Sequence, residues 1–151
     1  MLKQQRLNKP LGILALVAAG LLTAAAPASA HHAFAAEFDA DKPVQVKGVV
    51  TKAKWVNPHS WLYVDVKGPD GTVTNWGFEF GAPNALENRG LKKADLKAGE
   101  EVTIQGYRSK NGSPNGYSVF VTLSDGRKVQ TGGAQDAPAP AAPAAPATAP
   151  K

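Results

Sequence analysis

Residues 61–80 read WLYVDVKGPDGTVTNWGFEF, and this stretch decides the fold class. Its first six residues are rich in aromatic and β-branched side chains, which favour an extended strand. Pro69-Asp70-Gly71 is typical of a hairpin turn, because proline presets φ and glycine accepts a positive φ. Val73 to Phe80 is therefore the returning strand. Its alternation puts three aromatic side chains on one face: Trp76, Phe78 and Phe80.

Both sides of this hairpin carry further patterns. Pro43 to Ala53 alternates apolar and polar residues, which predicts a strand with one buried face. Pro83 to Gly90 indicates a short helix with proline near its start and glycine just past its end. Leu91 to Leu96 adds another turn. Three more strands are predicted over residues 101–108, 117–123 and 128–130.

This order of elements indicates a fold class. Three strands, a helix, two strands and a short extra strand follow the order of an OB-fold, a five-stranded Greek-key barrel with a helix between strands three and four. We predict an all-β domain over residues 31–131, a small five- to six-stranded OB-like Greek-key barrel. A small β-sandwich is the alternative.

The first thirty residues follow the pattern of a secretory signal peptide. A positive segment comes first, formed by Lys3, Arg6 and Lys9. Residues 11–22 are apolar and uncharged, and Ala28-Ser29-Ala30 supplies the small residues of a cleavage site. This apolar run is much shorter than the roughly twenty residues that a membrane-spanning helix needs. We predict cleavage after Ala30, a periplasmic or secreted protein, and no transmembrane span after cleavage.

The net charge and the cysteine content argue against several classes of function or exclude them. The chain carries a net charge of +5 from 17 basic and 12 acidic residues, but three basic residues lie in the predicted signal peptide, so the mature charge is +2. A charge this small argues only weakly for a polyanionic partner. The absence of cysteine excludes disulfides, thiolate metal ligands and thiol catalysis. The remaining chain is long enough for one domain and too short for two.

Residues 132–151 are predicted to form a disordered tail. From Ala137 onward the chain is alanine and proline with one threonine and a final lysine. It has no aromatic or branched aliphatic side chain to bury there, which is typical of a low-complexity, partly polyproline-like segment. The composition also suits a spacer, although an inert tail is the plainer interpretation.

The histidines of the chain stand at two places. His31 and His32 become the first two residues after the predicted cleavage, and His59 lies between Pro58 and Ser60. An N-terminal amine has a reference pKa of roughly 7.7–8.0, so its neutral form is accessible near neutral pH. The amine and the imidazole Nδ1 of one N-terminal histidine can close a chelate ring, and a second imidazole completes a T-shaped set of three nitrogens. Nitrogen ligands in such a planar array suit Cu(II).

We therefore predict a copper site formed by the amine and ring of His31 with the ring of His59. His32 offers a variant that binds through the amine, its own amide nitrogen and its ring. Neighbouring side chains of an extended segment point opposite ways, so both terminal histidines reach His59 only if the chain turns. Two plainer interpretations are surface histidines at the terminus and a packed His59 bonded to backbone. A pH-dependent or ligand-binding role for the same residues is a further alternative.

Carboxylates near the predicted terminus are weaker candidates. Glu37, Asp39 and Asp41 could add a metal ligand, but solvated loop charges are the plainer interpretation. Nothing in the spacing supports Glu37 and Glu79 as an acid–base pair. The sequence pairs no serine or threonine nucleophile with a histidine and has no phosphate-binding glycine loop, so we predict a binding protein and no enzyme.

Aromatic residues concentrate on the first three predicted strands. On an OB-fold this face can stack bases or sugars, which makes three tryptophans candidate ligand-binding residues: Trp55, Trp61 and Trp76. Core packing is the plainer interpretation for these side chains. Nucleic acid is not favoured as a partner, because the nearby Lys52 and Lys54 are offset by three acidic residues, Asp65, Asp70 and Glu79.

Several motifs are shared with a known family. They are His31 to Asp39, Trp55 to Trp61, Asn75 to Glu79, Pro83 to Leu86 and Leu123 to Arg127. On these motifs, residues 31–131 resemble domain of unknown function family 6152, small exported bacterial proteins without an established activity. The resemblance implies an exported, compact β domain. It implies no mechanism and no site residues.

The expected function is that of an exported, periplasmic binding protein of unknown role, with copper as the one candidate cofactor. Two alternatives stay open. One is an OB-type module that binds an oligosaccharide, a peptide or nucleic acid on its aromatic face. The other is a structural envelope protein without a small ligand. The sequence names no protein partner.

Overall fold

The computed structural model describes residues 34–134 and 137–138, and strands dominate this part of the chain. The strands of these residues are β1 (Phe38–Lys54), β2 (Trp61–Lys67), β3 (Val73–Glu79), β4 (Glu101–Ser109), β5 (Asn115–Thr122) and β6 (Lys128–Gln130). The helical segments are short: α1 (Phe34–Glu37), α2 (Pro83–Asn88) and a 3₁₀ helix (Lys93–Leu96). The predicted all-β class is confirmed.

Two strands begin earlier than their patterns predict. β1 starts at Phe38 and not at Pro43, and its pairing with β4 is irregular between these two residues. The polar run between them hides the strand from a periodicity argument. β5 starts at Asn115, two residues before the strand predicted over residues 117–123. Gly116 is needed there, because a Cβ would lie 2.7 Å from the carbonyl oxygen of Tyr107.

The strands pair in the order β3-β2-β1-β4-β5-β6, and β3 pairs in addition with β5. The β3–β5 pairing is parallel and aligns Glu79 with Tyr117, whereas the other pairings are antiparallel. Strands β1 to β5 therefore form a closed cycle of hydrogen-bonded neighbours. This closure brings the end of β3 beside the start of β5.

The main core is formed by apolar side chains that alternate along the strands. They pack against apolar side chains of α2 and of the 3₁₀ helix. The largest fully buried members of the main core are Phe78, Phe80, Leu62, Leu86, Leu91, Ile104, Val50, Val64, Val102 and Val121. Trp55 and Trp76 are half-buried and pack against this core. The plainer interpretation of these two tryptophans, core packing, agrees with their positions.

A second, smaller cluster is called here the terminal cluster. It consists of Phe34, Phe38, Tyr107, Tyr117 and Val119. Ala134 and Ala137 pack against it, and the Ala134 N–H donates a hydrogen bond to the Tyr117 hydroxyl at 2.8 Å. Packed chain therefore continues beyond the predicted domain end at residue 131. The rest of the predicted tail, and the predicted signal peptide, lie outside the described residues.

No helix among the described residues combines the length and the apolar character that crossing a membrane requires.

Candidate functional site

His59 occupies the short loop between β1 and β2, and hydrogen bonds hold the backbone directly after it. The Asn57–Pro58 peptide bond is cis. Directly after His59, the Ser60 N–H donates to the Gly81 carbonyl at 3.1 Å, and the Ser60 carbonyl accepts from the Phe80 N–H at 2.8 Å. These two hydrogen bonds join the end of the loop to the chain that follows β3. The backbone that carries His59 is therefore tied to the sheet at Ser60.

The imidazole of His59 contacts a buried carboxylate. Its Nδ1 lies 2.7 Å from Oε1 of Glu79, the last residue of β3. Only 18% of the His59 side chain and 11% of the Glu79 side chain are exposed. Glu79 reaches this place because the β2–β3 register sets it opposite Trp61, two residues after His59. The hairpin itself assembles the contact.

Glu79 sits in an environment that disfavours its charge. Burial and, to a smaller extent, the negative charge of Glu37 together raise the pKa of Glu79 to about 7. The two carboxylates are thus close enough to repel each other. The repulsion favours the protonated, neutral form of Glu79, and it also favours a positive charge placed near the two carboxylates.

Glu37 belongs to α1, and several contacts fix this short helix. The Lys110 N–H donates to the Glu37 carbonyl at 2.9 Å, and Lys110 Nζ donates to the Ala35 carbonyl at 2.5 Å. The ring of Phe34 meets Tyr107 and Tyr117 edge-on, at centroid distances of 5.3 and 5.2 Å. Since Tyr117 aligns with Glu79 across the parallel pair, α1 lies on the same side of the sheet as the His59–Glu79 contact.

The predicted metal ligands fall into two groups. His59 is placed as described, whereas His31 and His32 lie outside the described residues. Within residues 34–134 and 137–138, no group of three His, Cys, Asp or Glu side chains is arranged to hold a metal ion. In this part of the chain His59 is the one predicted ligand, and the remaining donors of the predicted site belong to the chain before Phe34.

The weaker carboxylate candidates are engaged elsewhere or exposed. Asp39 pairs with Lys42 at 3.0 Å and accepts the Asp41 N–H at 3.1 Å. These contacts hold the pKa of Asp39 below its usual range, the Lys42 hydrogen bond contributing most. Asp41 is exposed. Both are therefore surface charges as in the plainer interpretation, but they lie in β1 and not in a loop, while the charge of Glu37 acts on Glu79.

The candidate tryptophans do not form one platform. Trp61 stacks on Tyr63 with ring centroids 6.4 Å apart, on the face of the sheet that carries Glu79. Trp76 lies on the opposite face, beside Phe78 and the main core, with the Arg108 guanidinium 5.1 Å from its ring centroid. Trp55 also packs against the main core. Of the three, Trp61 is therefore the one aligned with Glu79, the partner of His59.

Glu79 is the site residue that sequence reasoning missed as a partner of His59. From the sequence alone, Glu79 counts only as a negative charge that offsets nearby lysines and as an unsupported acid–base partner of Glu37. A signal was present, because Glu79 is a carboxylate between Phe78 and Phe80 in a strand pattern. A hairpin centred on Asp70 also places Glu79 opposite Trp61, and so next to His59.

One known protein family matches the chain. Its family model, described as a family of unknown function, DUF6152, matches residues 18–118, which is more than half of the chain.

The chain belongs to DUF6152.

DUF6152 membership confirms the resemblance named from the motifs, and the matched range contains α1, His59 and Glu79. The family description assigns no activity, so the chemistry of this DUF6152 member is argued from its own residues. No curated protein and no solved structure matches the chain significantly.

Proposed function

We propose that this DUF6152 member is an exported binding protein that holds Cu(II) through its mature N-terminal histidine and His59. The observation that carries the proposal is the position of α1. The helix follows His31 by three residues, and its Glu37 interacts with Glu79, the partner of His59. A chain of three residues spans at most about 11 Å. The chain that leads from His31 therefore enters the described fold, at Phe34, on the side of the sheet where His59 and Glu79 meet.

The donor set explains the choice of metal. The α-amine and Nδ1 of His31 form a chelate, and the imidazole of His59 adds a third nitrogen. Three nitrogens in a planar arrangement suit Cu(II), which also stands at the top of the affinity order of divalent ions. The paired carboxylates of Glu37 and Glu79 add negative potential that favours a cation here. The bound ion would link the mature N-terminus to the loop that carries His59.

Export and cleavage are part of this proposal. The positive segment, the uncharged apolar run and the Ala28-Ser29-Ala30 site support a signal peptide that is removed after Ala30. Cleavage at this bond creates the amine of His31. A periplasmic location would expose the mature protein to copper that enters the envelope.

The finer fold assignment also belongs here. An OB-like Greek-key barrel is supported by the closed cycle of β1 to β5, by the parallel β3–β5 pairing and by α2 between β3 and β4. In an OB-fold the loop between the first two strands borders the ligand face. His59 lies in that loop.

The test compares proteins that differ at the proposed ligands. Protein that starts at His31 is titrated with Cu(II) against a chelator of known affinity, and electron paramagnetic resonance reports the number of nitrogen ligands. We expect one equivalent of tightly bound copper. One glycine placed before His31, or the substitution His59→Ala, should weaken binding at least tenfold. Equal affinity of the native-start and glycine-extended proteins would remove the amine from the proposal.

His32 provides the internal control. If the chelate uses the amine and ring of His31, then His32→Ala keeps the affinity within about twofold. If the amide-bonded variant at His32 is formed, then this substitution weakens binding and His59→Ala does not. The two substitutions together therefore decide which histidine pair binds.

A second candidate function is a ligand face on β2. It is favoured by the Trp61–Tyr63 stack and by Lys54, whose Nζ lies 5.4 Å from the Tyr63 ring centroid on the same face. Such a face would stack a sugar ring or a base. Quenching of tryptophan fluorescence by an oligosaccharide, lost in Trp61→Ala and unchanged by a chelator, would favour this candidate over copper.

A further inference from the structure

Burial of the Glu79 carboxylate is energetically unfavourable. A carboxylate with 11% side-chain exposure loses most of its hydration, and its repulsion by Glu37 adds to that loss. Burial of a charge stabilises a fold only when good partners repay the lost hydration, and an apolar residue often does as well. Among the described residues, Glu79 has its close polar contact with the imidazole of His59, at 2.7 Å. The role of Glu79 is therefore to be sought in what it does to that ring.

We propose that Glu79 is a positioning residue that holds His59 with its proton on Nδ1, so that Nε2 is the nitrogen that binds the metal. The proposal rests on the copper function proposed above and names a further residue of that site. It predicts that His31 and His59 use different ring nitrogens, Nδ1 in the terminal chelate and Nε2 in the loop.

The geometry supports this assignment of nitrogens. At 2.7 Å, the Nδ1 N–H of a neutral imidazole donates to Oε1 of the Glu79 carboxylate in a charge-assisted hydrogen bond. A neutral imidazole with its proton on Nδ1 carries the lone pair on Nε2. Metal-bound histidines commonly donate their second N–H to a carboxylate, which fixes the ring orientation and raises the basicity of the ligand nitrogen.

The surrounding backbone makes the arrangement rigid. Glu79 is held by its pairing with Trp61 in β2 and with Tyr117 in β5. Ser60, the next residue after His59, is bonded to Gly81 and Phe80. Both ends of the Nδ1–Oε1 contact thus start from fixed backbone, so the direction of the imidazole ring is set before any metal arrives.

The experiment uses Glu79→Gln with Glu87→Gln as its matched control. Glu87 is an exposed residue of α2, so the control removes the same charge away from the site. Both proteins and the wild type start at His31. Two readouts are taken: the ¹⁵N shifts of the His59 ring in metal-free protein at pH 8, and Cu(II) affinity by chelator competition.

For the wild type we expect a proton on Nδ1 of His59 and none on Nε2. Glu79→Gln should give a mixture of the two His59 tautomers, because an amide can face the ring with either its oxygen or its nitrogen. The same substitution should weaken copper binding by about tenfold or more. Glu87→Gln should stay within about twofold of the wild type. A wild-type proton on Nε2, or equal copper affinity of the two variants, would overturn the role of Glu79.

The readouts separate this proposal from the copper proposal itself. Should neither His59→Ala nor the glycine extension change copper affinity, then the copper site fails, while the ring shifts still show whether Glu79 sets the tautomer. If Glu79→Gln does not fold, as judged from its amide spectrum, then the wild-type ring shifts alone decide the assignment of Nδ1 and Nε2.

Discussion

Phe34 meets the ring of Tyr117 edge-on at 5.2 Å, and this contact joins the start of the described chain to the strand that pairs with Glu79. Phe34 is 3% exposed, so α1 is anchored by a buried aromatic side chain. The anchor holds the short helix that carries Glu37, whose negative charge acts on Glu79. The geometry of the candidate site therefore depends on packing in the terminal cluster.

Loss of this anchor should destabilise the protein. Phe34→Ala removes a buried aromatic ring and leaves a cavity, which should lower the free energy of unfolding by about 3 kcal/mol. Phe34→Leu keeps most of the volume and should cost about 1 kcal/mol. Chemical denaturation followed by tryptophan fluorescence measures both values. Equal stability of Phe34→Ala and wild type would show that α1 contributes nothing to the fold.

Glu37 should control the ionisation of Glu79. Glu37→Gln removes a like charge, so the pKa of Glu79 should fall from its raised value of about 7, while burial keeps it above 4.5. A ¹³C-carboxyl titration of metal-free protein measures the pKa directly. The exposed Glu87→Gln serves as the control and should leave it unchanged. An unchanged pKa in Glu37→Gln would contradict the proximity of the two carboxylates.

Asp95 should make stability depend on acid pH. Its carboxylate accepts the Lys92 N–H at 2.8 Å and Arg127 Nη2 at 2.8 Å, and these contacts hold its pKa below the usual range, the Lys92 bond first. A lowered folded-state pKa gives stability that is present above the unfolded value of 3.8 and is lost as pH falls through the folded value. Asp95→Asn should therefore cost about 1 kcal/mol near pH 7.

The difference between Asp95→Asn and wild type should shrink when denaturation is repeated at progressively lower pH. Arg127→Lys tests the second partner, because it keeps the charge but loses the two-armed contact with Asp95 and Asp125. A pH-independent difference for Asp95→Asn would contradict a role of its ionised form.

Gly116 should tolerate no side chain. A Cβ would lie 2.7 Å from the Tyr107 carbonyl oxygen and 2.8 Å from the ring of Phe78, and neither can move freely in the closed sheet. Gly116→Ala should lower the free energy of unfolding by about 2 kcal/mol or more. At Gly68 the nearest atom, at 2.9 Å, ends the flexible Asp70 side chain, so Gly68→Ala is the matched control with a smaller effect. Equal thermal shifts of the two variants would refute the argument.

Much of the fold follows from local sequence rules. Alternation identifies the interior of β1, and the turn at Pro69-Asp70-Gly71 identifies the β2–β3 hairpin, whose Gly71 has φ of +85° as required. The short β6 is observed over the predicted residues 128–130. These features depend on neighbours in the chain, which a single sequence displays.

The features that were missed depend on distant parts of the chain. α1 has only four residues, and it is stabilised by Tyr107, Lys110 and Tyr117 and not by helix propensity. The start of β5 was predicted two residues too late because Asn115 and Gly116 disfavour strands, whereas the close approach to Tyr107 requires glycine there. The Glu79–His59 contact needs the register of the hairpin, and no periodicity within either segment reveals it.

Phe34 belongs to the terminal cluster, and Ala137 packs against it. The first described residue and one of the last therefore lie at the same cluster. This arrangement suits circular permutation: a short linker could join the two ends, and new termini could be opened at the β2–β3 turn, which is exposed at Asp70 and Gly71. Such a permutant would keep the sheet, His59 and Glu79 but would have no free amine at residue 31.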